Sequence, residues 1–151
     1  PSIKFSSDFI IGYPGETHDD FEKTVELMKK VEFINSYSFI YSARPGTPAF
    51  NLKKINDIIA KERLTVFQNI SKKVKTEYRE TLLTKTMPVL FENRTKDKNK
   101  YFGRDEYFNS VIVESNENLT GKIKQIKITK VNQNTLFGEI SSNLIYKDFA
   151  A

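Results

Sequence analysis

Arg94, Lys96, Lys98 and Lys100 recur on every second residue, and Tyr101, Phe102 and Arg104 follow directly. An extended segment would turn the four alternating cations to one side. Basic groups beside rings are what single-stranded or looped RNA requires, because cations meet phosphates and aromatic faces take splayed bases. A solvated hairpin is the competing reading of the same run.

A second candidate lies near the start, where Gly12-Tyr13-Pro14-Gly15-Glu16 ends an apolar run. Glycines at such a place let a ligand approach the backbone closely. A tight turn leading into a capped helix accounts for the same residues. Arg44 follows a later apolar run inside a proline-bounded loop, where its guanidinium can meet a carboxylate or a phosphate by paired hydrogen bonds, or cap loop carbonyls. The rings of Tyr13 and Tyr41 suit an adenine, but rim or core packing is the ordinary use of such tyrosines. His18 is the single histidine. With no cysteine or second histidine beside it, it makes no metal site. Asp19, Asp20 and Glu22 complement a helix dipole and receive no catalytic role.

The elements that must position these residues can be read from periodicity. Ile3, Phe5, Phe9 and Ile11 alternate, which predicts a strand. Pro14 and Gly15 are the central pair of a type II turn. Thr17 and Asp20 resemble a capping box, and Phe21, Val25, Met28 and Val31 follow at helical spacing. A second strand is expected over Tyr37 to Tyr41. Strand, helix and strand in so short a span form a parallel, right-handed unit, whose ligand sites lie at the carboxyl ends of the strands. Those ends are Gly12 to Glu16 and Ser42 to Pro48.

Ile55, Ile59, Phe67, Ile70, Val74, Tyr78 and Leu82 mark one stripe of a long helix running to about Leu83. It is expected to pack on the first module and deliver the chain to a second. Beyond it, strands are expected at Met87 to Glu92, Tyr101 to Asp105, Ser110 to Glu114, Lys122 to Val131 and Leu136 to Ile140, punctuated by Gly103, Gly121 and Gly138. Five short strands suit a small closed barrel of the OB type. The apolar period slips between Ile123 and Ile126, which predicts a bulge near Gln125.

Composition narrows the function. Cysteine is absent, so no disulfide, zinc-thiolate site or cysteine-ligated iron–sulfur cluster can be built from this chain. No apolar run approaches the roughly 20 residues of a membrane span, and a soluble, cytoplasmic, monomeric protein is the expectation. Residues 1–50 carry 5 basic and 7 acidic groups, 51–85 carry 9 and 4, and 86–151 carry 10 and 8. The positive potential sits in the second part and suits a polyanion. Pro1 opens directly onto strand-like sequence, from which a truncated N-terminus is expected.

The run Asp8-Phe9-Ile10-Ile11-Gly12-Tyr13-Pro14-Gly15-Glu16-Thr17, followed by Asp19-Asp20-Phe21 and by Phe39-Ile40-Tyr41-Ser42-Ala43-Arg44-Pro45-Gly46-Thr47-Pro48-Ala49, resembles the methylthiotransferase branch of the radical-SAM enzymes. Gly103-Arg104, Asn109, Val111, Gly121-Lys122 and Asn134-Thr135-Leu136-Phe137-Gly138 are similar to that family's TRAM domain. The ending from Asn132 to Gly138 resembles most the enzymes acting on isopentenylated adenosine beside the tRNA anticodon. Sister enzymes acting on threonylcarbamoyl-adenosine or on a ribosomal-protein aspartate share similar blocks, and a non-catalytic RNA-binding module is a further alternative. One departure is that Asp8 stands where radical-SAM enzymes often carry the first glycine of Gly-x-Ile-x-Gly.

The resemblance implies an α+β two-part chain. Residues 1–50 would be the C-terminal end of an α/β radical-SAM partial TIM barrel, 51–83 a connecting helix, and 84–147 a small all-β, OB-like TRAM barrel. It implies SAM and two [4Fe-4S] clusters in a full-length parent and the tRNA anticodon arm as partner, without a membrane. Gly12, Tyr13, Pro14, Gly15, Glu16 and Arg44 would contact the cofactor. Arg94, Lys96, Lys98, Lys100, Tyr101, Phe102, Arg104, Asn109 and Lys122 would contact RNA. The cluster-binding cysteines of the family are missing here, so this chain alone should be inactive.

Overall fold

The computed structural model describes residues 3–97 and 99–141. These fall into two compact units that divide between Tyr78 and Arg79.

The first unit holds strand β1 (Ser6–Ile11), helix α1 (His18–Val31), strand β2 (Asn35–Ile40), a 3-10 turn (Pro48–Asn51) and nearly all of helix α2 (Asp57–Glu80). β1 and β2 pair in parallel, from Ser6 opposite Asn35 to Ile11 opposite Ile40. Gly15 takes φ 87°, and the Glu16 N–H donates to the Tyr13 carbonyl at 2.9 Å, which closes the expected turn. Thr17 then caps α1: its hydroxyl oxygen accepts from the Asp20 N–H while the Asp20 carboxylate accepts from the Thr17 N–H. The capping box thus satisfies donors that the first helical turn leaves unpaired.

Phe9 and Ile11 turn inward against Phe21, Val25 and Met28 of α1 and Phe67 of α2. Ile3 and Phe5 do not extend this face. They precede β1 and are 67% and 54% exposed. The helical stripe is shorter than expected, since α2 starts at Asp57 and stops at Glu80. The Asn56 side chain accepts from the Ile58 N–H at 2.8 Å and marks the start. Leu82 is buried but lies in the turn beyond the helix.

The second unit is a closed barrel in the order β3-β4-β5-β7-β6. Its strands are β3 (Thr86–Arg94), β4 (Lys100–Asp105), β5 (Ser110–Glu114), β6 (Ile123–Val131) and β7 (Leu136–Ile140). β5 and β7 run parallel, and the other four pairings are antiparallel. Val89, Phe91, Val111, Val113, Ile126, Ile128 and Leu136 alternate into the interior and are at most 1% exposed. Closure leaves no strand edge unpaired, which removes the usual route to edge-to-edge association.

Two expectations need correction. Gly103 and Gly138 do not separate strands but sit inside β4 and β7. A Cβ on Gly103 would lie 2.5 Å from the Leu90 carbonyl oxygen, so this inward position has no room for a side chain. The bulge expected near Gln125 is also displaced. β6 pairs with β3 without a break from Ile123 to Lys127, and its register shifts against β7 between Ile128 and Lys130. Ile123, 60% exposed, belongs to the outer face, so the apparent slip was a change of face rather than an inserted residue.

Candidate functional site

At the carboxyl ends of β1 and β2 a cleft of about 540 Å³ is lined by Ile10, Tyr13, Phe39, Tyr41, Arg44 and Thr47, among others. Its size falls in the range of small-molecule sites. Tyr13 and Tyr41 meet edge to face with ring centroids 5.2 Å apart. The Tyr41 hydroxyl is buried with no hydrogen-bond partner among the described residues, a state that costs free energy until a ligand or water supplies one.

The six residues expected around a cofactor therefore separate. Tyr13 and Arg44 line this cleft, whereas Gly12, Pro14, Gly15 and Glu16 are not among its walls. Gly12 has φ 78°, and a Cβ on it would come within 2.9 Å of the Ala60 Cβ, so helix packing alone requires glycine. Glu16 is committed internally. One carboxylate oxygen accepts from the Gly12 N–H at 2.9 Å and the other from the Arg63 guanidinium at 2.6 Å. Both side chains are nearly buried, at 10% and 12% exposure. Arg63 also donates to the Glu16 carbonyl, so the strand-end turn is clamped to α2.

In the barrel, the described members of the alternating cation run do not share one strand. Arg94 ends β3, Lys100 begins β4, and Lys96 lies in the connection between them. Lys98 lies outside the described residues. Lys96 and Lys122 are exposed. Lys100 pairs with Asp97 at 3.0 Å, and Arg104 pairs with Glu92 at 3.0 Å.

Tyr101 is not offered to a base, because it points into the barrel and is 5% exposed. Asn109 is also interior. Its N–H and side-chain amide each donate to the Asp105 carboxylate at 2.8 Å, closing the β4–β5 turn. Phe102 and Arg104 lie on the outer wall, with the guanidinium 5.3 Å from the ring centroid. A similar pair that sequence reasoning missed is Lys130 over Phe137, at 5.8 Å. Alternation could have found it, since Phe137 falls out of phase with inward Leu136.

Among the described residues, no group of three or more His, Cys, Asp or Glu is placed to hold a metal ion. No helix among them is long and apolar enough to cross a membrane.

Residues 80–141 match the family described as the TRAM domain. Curated proteins similar to the chain carry the name tRNA-2-methylthio-N(6)-dimethylallyladenosine synthase. The one from Pelagibacter ubique is 48% identical over 143 residues, covering 95% of this chain and 32% of that protein. The one from Rickettsia conorii is 42% identical over 142 residues, covering 93% and 32%. The one from Wolbachia pipientis wMel is 40% identical over 141 residues, covering 91% and 32%. The chain thus spans about a third of the length of these relatives.

Proposed function

We propose, for a chain that is related to the tRNA methylthiotransferases and carries a TRAM domain, that it supplies the RNA-holding barrel and part of the cofactor pocket to an enzyme that methylthiolates isopentenyl-adenosine beside the tRNA anticodon. The observation that carries the reading is the closed five-stranded barrel with basic and aromatic groups on its wall, over the residues that match the TRAM family. OB-like barrels use such walls and the adjoining loops to hold nucleic acid. The names of the relatives favour the isopentenyl-adenosine substrate over those of the sister enzymes.

The first unit would be the last β-α-β segment of a radical-SAM partial barrel, with the cleft at its strand ends facing the cofactor. The residues fit part of SAM: the Tyr13 and Tyr41 rings suit an adenine, and Arg44 suits a carboxylate. They do not fit an iron–sulfur cluster, because the chain has no thiolate to ligate one. When bound, SAM would supply the radical and the methyl group of the reaction. Within this chain, Arg44 would orient the carboxylate, and the Glu16–Arg63 pair would hold the strand-end turn in place. Calorimetric titration with SAM should show weaker binding for Arg44→Gln than for wild type. Identical isotherms would remove Arg44 from the pocket.

The RNA reading is tested by binding an anticodon stem-loop to the whole chain at several salt concentrations. Lys96→Gln and Lys122→Gln should each flatten the dependence of log affinity on log salt by about 0.7 to 0.9 for each phosphate no longer neutralised. Unchanged affinity and slope in both would remove these lysines from the RNA interface.

A further inference from the structure

The outer wall of the barrel places residues that are distant in sequence on one continuous row. β4 and β5 pair Phe102 with Ile112, β5 and β7 pair Ile112 with Phe137, and β6 and β7 pair Lys130 with Phe137. Phe102, Ile112 and Phe137 all alternate outward, because their neighbours Tyr101, Val111, Val113 and Leu136 are buried inside. The row is thus ring, aliphatic side chain, ring, with Arg104 over the first ring and Lys130 over the last. Adjacent strands lie about 4.8 Å apart, so the two rings are separated by roughly 10 Å.

We infer that this row is a stacking platform for two or three unpaired bases of an RNA loop, with Arg104 and Lys130 meeting the flanking phosphates. The inference rests on the RNA-binding reading above and gives it a specific surface. Sheet platforms that stack two or three bases on exposed aromatics are a recurring solution for looped RNA. Every base has a π face, so the affinity comes from rings and cations and not from base-edge readout.

Charge decides the direction of the strand. Beyond the row on one side, Lys100 faces Glu114 and, across the register shift in β6, Lys127 faces Glu139, so each cation there is opposed by an acid. On the other side Arg104 faces Ser110. Its partner Glu92 belongs to a pair about 40% exposed, and exposed pairs are worth little and yield to a phosphate. The phosphates therefore run along the Arg104 side, away from Glu114 and Glu139. An apolar protein partner would have no use for a cation at each end of the row.

The test uses the whole chain and an anticodon stem-loop carrying 2-aminopurine in its loop, with a blunt-ended RNA duplex as comparison. Phe102→Leu and Phe137→Leu keep an apolar side chain while removing the ring, and each should weaken stem-loop binding by about 5- to 100-fold with the salt slope unchanged. Phe137→Tyr should restore binding and the change in 2-aminopurine fluorescence. Lys130→Gln should flatten the salt slope by about 0.7. If the leucine variants keep their melting transitions, bind as tightly as wild type and give the same fluorescence change, the platform is wrong while RNA binding stands. If wild type binds neither RNA, the RNA-binding reading itself fails. Equal weakening for the stem-loop and the blunt-ended duplex would also overturn the platform, since paired bases cannot stack on it.

Discussion

The β-α-β unit and the barrel solve the same problem, burial of a sheet's apolar face, in different ways. The barrel curls its sheet around its own side chains, so inward strand residues such as Phe91, Val111 and Ile128 are at most 1% exposed and every strand has two neighbours. The first unit has a two-stranded sheet covered on one face by α1 and α2. Ile10, Tyr37 and Phe39 on its other face remain 59%, 61% and 56% exposed. The barrel's apolar face is thus complete within 79–141, whereas only one face of the first unit's sheet is covered. The two units also bury a carboxylate differently. Glu16 is held by the Arg63 cation, and Asp105 by the neutral donors of Tyr107 and Asn109.

The largest test of this contrast truncates one core ring in each unit. Phe67→Ala and Phe91→Ala both remove a fully buried ring, and each should cost about 3 to 5 kcal/mol. Hydrogen exchange should place the damage in α1, β1 and β2 for the first and in β3 to β7 for the second. Weakened protection across both units from either variant would show that they unfold as one.

A smaller effect distinguishes the two carboxylates. Glu16→Gln leaves Arg63 nearly buried without its counter-charge and should cost about 3 kcal/mol. Asp105→Asn leaves no buried cation behind and should cost roughly 1 to 2 kcal/mol, the penalty of one mismatched donor. Denaturant melts that ranked the two in reverse would refute the distinction.

The smallest effect concerns pH. The Asp20 carboxyl is held below its ordinary value of 3.8, first by the hydrogen bond from the Thr17 hydroxyl and next by the Thr17 N–H, with smaller help from Lys23 and Arg63 against desolvation. Because the folded value is depressed, the contribution is present above 3.8 and is lost as pH falls through the folded value. The stability gap between wild type and Asp20→Ala should therefore be constant near neutrality and shrink in acid. A gap that did not change from about pH 6 down to about pH 2 would argue against ionised capping.

What the sequence determined by itself is local. The Pro14-Gly15 turn, the Thr17 capping box, the parallel strand-helix-strand unit and the five barrel strands all follow from interactions within a few residues, where φ preferences and alternation act directly. The same alternation misled at Arg94 to Lys100. β3 ends at Arg94 and β4 begins at Lys100, so the two outermost cations of the run belong to different strands.

Which face of a strand is interior depends on how the barrel closes. Only closure decided that Tyr101 serves the fold while Phe102 joins Ile112 and, one strand further, Phe137 on the outer wall. Arg63 is 47 residues from Glu16, and nothing local in either segment indicates that α2 will bring the two together. Tertiary structure decided these matters because pairings across strands and helices are set by the packing of distant segments, which spacing along one segment does not encode.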